Sequence, residues 1–274
     1  NSWIQRPRLI FPPDDPTPDP YATKTPEAPA QSKPLDFRAI ATGRPSMTLD
    51  HDTLMTTLQT AFSNSGNTQD LMCGCEFIMP DTSGRMFLDR TSCAYAPRLE
   101  TEQTNTVVWR TIVNPKTFAR GRSCWTQGDP VCRDADGRFT GEKCCALVDQ
   151  DFASMLNDAY NYAPVILDMD LAIGNARFSE IPGKTYAVAG CPVKVDAKAG
   201  IAEPPEEARG EVARAYLYMN KIWNVPLSPT ELGMFARWNK EHPPSDREAF
   251  RASVIKSVQG NNNPFIEAGA ERVD

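Results

Sequence analysis

The side chains of this sequence with the most distinctive chemistry are its eight cysteines: Cys73, Cys75, Cys93, Cys124, Cys132, Cys144, Cys145 and Cys191. An even, clustered set points to disulfides formed in an oxidising compartment. Zinc is the competing reading, but Cys73-Gly74-Cys75 and Cys144-Cys145 lack the two-residue spacer with which paired thiolates grip one ion. The pairing stays open, because many connectivities suit eight thiols. Histidine, the usual general base near neutral pH, occurs only as His51 and His242. His51 begins a predicted helix and His242 ends another before Pro243-Pro244, positions that suit a surface residue or a helix C-terminal charge. Asp168 and Asp170, read as part of a strand, would face the same way and offer a carboxylate pair for a metal. A solvated loop edge is the plainer reading of that pair.

A scaffold must hold these groups. The chain has 274 residues, 41% apolar and 23% charged, an ordinary globular composition. Its net charge of −6 gives no general attraction to a polyanion, so nucleic acid would need a local basic cleft. No run approaches the roughly 18 apolar residues of a membrane-spanning helix. A first residue of Asn1 fits a mature exported chain, with trimming as the alternative. Ten of the 24 prolines fall in residues 1–45, which reads as an extended arm preceding a folded domain at 46–274. Trp3, Ile4, Leu9, Ile10 and Phe11 in that arm suit either a flexible linker or a strip that docks on another protein subunit.

Within the domain, Leu54, Met55, Leu58 and Phe62 recur at helical spacing, with Gly66 closing the segment. Phe77 to Met79 and Met86 to Leu88 read as a hairpin around a turn at residues 80–84. Residues 121–145 read as a disulfide-tied loop region, and Phe152, Met155, Leu156 and Ala159 as a helix. Three helices close the chain. The first carries Val212, Tyr216, Met219 and Trp223; the second opens at Ser228-Pro229-Thr230-Glu231, a capping box; the third opens at Ser245-Asp246-Arg247-Glu248 and carries Phe250, Val254, Ile255 and Val258 before Gly260.

Several motifs then fall in a recognisable order. Cys73-Gly74-Cys75, a hairpin, and Leu88-Asp89 leading to Ser92-Cys93-Ala94-Tyr95 come first. Ser123-Cys124-Trp125, Cys191-Pro192-Val193-Lys194-Val195-Asp196, the run from Glu203-Pro204-Pro205 to Met219, and Val258-Gln259-Gly260-Asn261-Asn262-Asn263-Pro264-Phe265 follow. Together they resemble the endonuclease I family of periplasmic and extracellular nucleases, over residues 50–268. The resemblance implies an α+β fold, a mixed α/β arrangement of the ββα-metal nuclease type with disulfide-tied loops and a C-terminal helical part. It also implies cleavage of DNA, and often RNA, by a divalent cation, usually magnesium, with a histidine that deprotonates water and an arginine on the phosphate.

In such a family the metal-binding glutamate and the basic histidine are adjacent in a Trp-Glu-His-Val-x-Pro-type motif. Here the motif reads Val108-Trp109-Arg110-Thr111-Ile112-Val113-Asn114-Pro115, so Arg110 and Thr111 occupy the two chemical positions. The second motif, Asp158-Ala159-Tyr160-Asn161-Tyr162-Ala163-Pro164, keeps Asn161 as the matching metal ligand. Gly174-Asn175-Ala176-Arg177 is the nearest relic of the phosphate-binding loop and makes Arg177 a phosphate candidate. A carboxamide without a carboxylate is a poor magnesium site. A guanidinium about 4 Å from the ion would add repulsion on the order of 8 kcal/mol at an effective dielectric near 20.

The resulting expectation is a non-catalytic endonuclease I-like protein without a cofactor, secreted, periplasmic or at a cell surface. It would serve as a structural or interaction subunit whose arm reaches other protein subunits. One alternative is a divergent magnesium nuclease using Asp168 and Asp170. Another is a phosphate or nucleic-acid binder in which Arg110 and Arg177, with Arg120 or Arg122, grip phosphate without cutting it. Arg110 as a structural ion pair filling a retired cleft is the plain counterpart of that last reading.

Overall fold

The computed structural model describes residues 43–66, 68–79, 85–97, 101–183 and 188–267. Residues 1–42 of the expected arm, the expected turn at 80–84 and residues 268–274 lie outside that description.

The Asp50 carboxylate accepts from the Thr53 N–H at 2.7 Å and so caps α1 (His51–Asn64). Leu54, Leu58, Ala61 and Phe62 form the buried face of that helix. β1 (Phe77–Ile78) and β2 (Met86–Leu88) make the expected antiparallel hairpin, with Phe77 opposite Leu88. β3 (Thr106–Thr111) pairs with β2 and leads into α2 (Pro115–Phe118). The cysteine-rich region holds α3 (Ser123–Thr126), a small hairpin of β4 (Arg133–Asp134) and β5 (Gly137–Arg138), and α4 (Glu142–Val148). The next expected helix is α5 (Gln150–Leu156); it stops short of Ala159, which begins a 3-10 turn, Ala159–Asn161.

β6 (Tyr162–Ile166) completes an antiparallel sheet in the order β1-β2-β3-β6. α6 (Leu167–Ile173) follows directly and packs on β3, giving the two strands and helix of the expected ββα unit. This corrects the strand expected around Asp168 and Asp170: both sit in the first turn of α6. On a helix, residues two apart do not face the same way. The acidic side chains instead complement the helix N-terminus.

A second sheet has the order β7-β9-β8, formed by β7 (Arg177–Phe178), β8 (Lys194–Asp196) and β9 (Ile201–Glu203). The chain closes with α7 (Arg209–Trp223), α8 (Pro229–Glu241), α9 (Asp246–Gln259) and the short α10 (Pro264–Glu267). α7 and α8 pack through Tyr216 stacked on Phe235, and Trp238 meets Phe235 edge-on. Trp238 and Phe235 are fully buried, each contributing about 1.5–3 kcal/mol or more. Gly210 lets α8 end this close, since a Cβ there would lie 2.3 Å from the His242 carbonyl oxygen.

The capping box at Ser228 and Glu231 is complete in both directions. At Ser245 only half of the pattern forms: Ser245 Oγ accepts from the Glu248 N–H, while the Glu248 carboxylate turns inward to a bidentate pair with Arg214. The stripe expected on α9 is corrected accordingly. Phe250 is 42% exposed, and the buried face carries Glu248, Arg251, Ala252, Ile255 and Gln259. Arg251 joins Glu211 of α7 at 2.7 Å, so the seam between α7 and α9 is ionic as well as apolar.

All eight cysteines are paired: Cys73–Cys191, Cys75–Cys93, Cys124–Cys145 and Cys132–Cys144. No thiolate remains for zinc, even where Asp70 lies beside Cys73 and Cys75. The two ends of the described region meet: Ser46 N–H donates to the Gln259 carbonyl at 3.1 Å, and Asn261 donates to the Gly43 carbonyl at 2.9 Å. Gly260, at φ +78°, is required at that seam because Ser46 Oγ occupies the place of a Cβ. Among the described residues, no helix is long and apolar enough to cross a membrane.

Candidate functional site

β3 carries Trp109, Arg110 and Thr111 to the edge of a cleft. Its pairing with β6 sets Arg110 opposite Ala163 and Thr111 opposite Tyr162. Past the strand, Asn114 is the N-cap of α2: its side chain accepts from the Thr117 N–H at 3.0 Å, and Pro115 fills the first turn. The Asn114 amide also donates to the carbonyls of Asn175 (3.1 Å) and Ala176 (3.3 Å). The loop after α6 is thereby fixed to the loop after β3.

Arg110 is 7% exposed, and its guanidinium is turned to α6. Nη1 forms an ion pair with Asp170 Oδ1 and donates to the Asp170 carbonyl at 3.2 Å, and Nη2 donates to the Gly174 carbonyl at 2.5 Å. Nε is buried without an acceptor. The guanidinium thus presents no free fork to a ligand. Thr111 is half-buried on the cleft wall and forms no side-chain hydrogen bond among the described residues.

Asn161 is fully buried and closes a two-way bridge with one residue, accepting from the Val113 N–H at 2.8 Å and donating to the Val113 carbonyl at 2.9 Å. Its motif partner Asp158 is also buried. Asp158 accepts from Tyr218 Oη (2.7 Å), Trp223 Nε1 (2.8 Å), Gln259 Nε2 (2.9 Å) and the Tyr160 N–H (3.1 Å). Burial pushes its carboxyl above the ordinary value, against those donors, which pull it down. This polar knot joins the Asn161 turn to α7 and α9. The helical stripe of α7 includes Trp223 but not Tyr218, and gives no sign that both serve one carboxylate.

The other candidate arginines lie elsewhere. Arg177 donates to Glu231 Oε1 through Nε (3.0 Å) and Nη2 (2.5 Å), locking β7 to the start of α8. Arg122 pairs with Asp149, and Arg120 is exposed. The structure does not bring these three into the wall of the cleft beside Arg110. Asp168 accepts from Tyr95 Oη at 2.7 Å. His51 is exposed at the start of α1 and His242 caps the end of α8; neither lines the cleft.

The cleft itself is about 360 Å³ and is walled by Trp109, Arg110, Tyr162, Leu156, Leu171 and the carboxylate of Glu142 at the start of α4. Glu142 forms no hydrogen bond or ion pair among the described residues, and partial burial raises its carboxyl. A second cavity of about 410 Å³ contains Glu211, Arg214, Glu248 and Arg251, which satisfy one another as Arg214–Glu248 and Arg251–Glu211 pairs. Those four charges are paired within the fold.

As a donor set for magnesium, the motif residues do not fit. Asn161 has both amide atoms engaged by Val113, Arg110 places a cation at the motif, and Asp170 is bound to that cation.

Comparison with known proteins gives this scaffold relatives. The sequence model of endonuclease I matches residues 52–270. An extracellular deoxyribonuclease of Aeromonas hydrophila is 32% identical over 196 residues, covering 71% of this chain and 80% of that protein. Endonuclease-1 of Buchnera aphidicola subsp. Acyrthosiphon pisum (strain APS) is 31% identical over 194 residues, 71% of this chain and 72% of its own. A periplasmic deoxyribonuclease of Aeromonas hydrophila is 31% identical over 196 residues, 71% and 76% respectively.

Proposed function

Because the chain belongs to the endonuclease I family, we propose that it is a non-catalytic member, working as a structural or interaction subunit of an extracytoplasmic assembly. The observation that carries this reading is the Arg110–Asp170 pair. A buried, internally neutralised guanidinium stands where a nuclease of this kind needs a metal-binding carboxylate, and the neighbouring Thr111 has no basicity with which to activate water. Four disulfides and relatives named as extracellular and periplasmic enzymes support the location. Magnesium enters no step of this proposal.

The test is incubation of the pure, oxidised protein with plasmid DNA and with RNA in magnesium, manganese or calcium. No cleavage is expected, and chelator-sensitive digestion would overturn the reading. For the assembly role, cross-linking in the native source should capture a specific protein with the full chain and lose it when residues 1–42 are removed. Capture of no specific protein would sink that half of the proposal.

A further inference from the structure

The cleft beside Arg110 carries a net negative lining. Among the described residues, three charged side chains line it: Arg110, Asp170 and Glu142. The first two cancel in a contact ion pair, which leaves Glu142 as the uncompensated charge. Glu142 lines the hollow together with Tyr162 of β6. The remaining lining includes two aromatic residues, Trp109 and Tyr162, two leucines, Leu156 and the 67% exposed Leu171, and a polar stretch with Thr111, Asn114 and Asn175.

We propose that this cleft receives a cationic side chain, arginine or lysine, presented by a partner protein. The proposal rests on the non-catalytic reading of the cleft and specifies the chemistry of its partner. A long cationic side chain suits this lining: its charged head would meet Glu142 and its aliphatic stem would lie along the leucines. The volume is at the small end of the range for ligand pockets, about 300–1,000 Å³. Phosphate is the poorer fit, because the one guanidinium in the wall is closed by Asp170 and Gly174.

The probe is the blocked tripeptide acetyl-Gly-Arg-Gly-amide, titrated to about 10 mM, the range in which millimolar affinity is measurable, while the Trp109 indole resonance is followed. That signal is assigned with Trp109→Phe. Acetyl-Gly-Glu-Gly-amide and magnesium chloride are titrated in parallel, and Glu142→Gln and Glu241→Gln are compared with the natural chain. Expected are a saturable shift with the arginine peptide alone, at least fivefold weaker binding in Glu142→Gln, and unchanged binding in Glu241→Gln, whose residue is exposed at the end of α8. The proposal is overturned by no shift, by equal binding in Glu142→Gln, or by a response to magnesium or the glutamate peptide in place of arginine. Plasmid cleavage is scored separately: digestion removes the non-catalytic reading, whereas failure of the titration without digestion removes this inference alone.

Discussion

Asn161 and Val113 exchange two hydrogen bonds across the end of the β3–β6 ladder, so a side chain continues a pattern that the backbone has just stopped making. In chemical terms Asn161 is a buried structural clamp. Replacing it with alanine leaves both Val113 groups unsatisfied and a small void, and is expected to cost about 2–4 kcal/mol in urea unfolding. Millimolar magnesium should leave the thermal midpoint of the natural chain unchanged; a rise with magnesium would show that a metal-binding set still exists.

The Arg110–Asp170 pair is asymmetric in exposure, 6% against 31%. Asp170→Ala strands a buried guanidinium and should cost about 3 kcal/mol, whereas Arg110→Met frees a carboxylate that water can reach and should cost about 1–2 kcal/mol. Chemical denaturation of both variants checks the order. Equal losses would show that the guanidinium gains little from its carboxylate.

Glu203 is nearly buried and accepts from the Ile181 N–H at 2.8 Å, Lys194 at 3.0 Å and Arg209 at 2.7 Å. Burial pushes its carboxyl up, but the hydrogen bonds and the two cations outweigh that and hold it below the usual 4.5. The unfolded chain therefore takes up this proton more readily than the folded one. The stabilisation is present above the unfolded value and is lost as pH falls through the lower folded value. Glu203→Gln should cost about 1–3 kcal/mol at neutral pH and flatten the acid limb of the stability profile. An unchanged acid limb would assign the titration to other carboxylates.

The disulfides should differ in worth. Cys73–Cys191 closes a separation of 118 residues and Cys132–Cys144 one of 12. On chain entropy alone, replacing the first pair with serine costs about 5 kcal/mol and the second about 3 kcal/mol. Thermal unfolding of the two double-serine variants tests the order.

Much of this architecture was legible because local rules decided it. Ser228 with Glu231, and the buried stripe of α7, have their causes within a few residues. The same local logic read Glu248 as a capping-box residue; it lacked the distant Arg214, which binds that carboxylate across the seam between α7 and α9. Alternation likewise suggested a strand at Asp168 and Asp170, where the N-terminal turn of α6 prevails. Cysteine count and spacing indicated disulfides but not partners, since Cys73 and Cys75, two residues apart, bridge to Cys191 and Cys93. Order and spacing singled out Arg110 and Thr111, which line the cleft, and Asn161, which is buried against Val113. Nothing local marked Glu142, which reaches the hollow only because α4 begins beside Tyr162.

The contact of residues 43–46 with residues 259–261 has a topological consequence. The described chain is almost a closed ring, with its entry and exit at one corner. A short linker joining those segments, with new ends cut in an exposed loop, would give a circular permutant that preserves the cleft and all four disulfides.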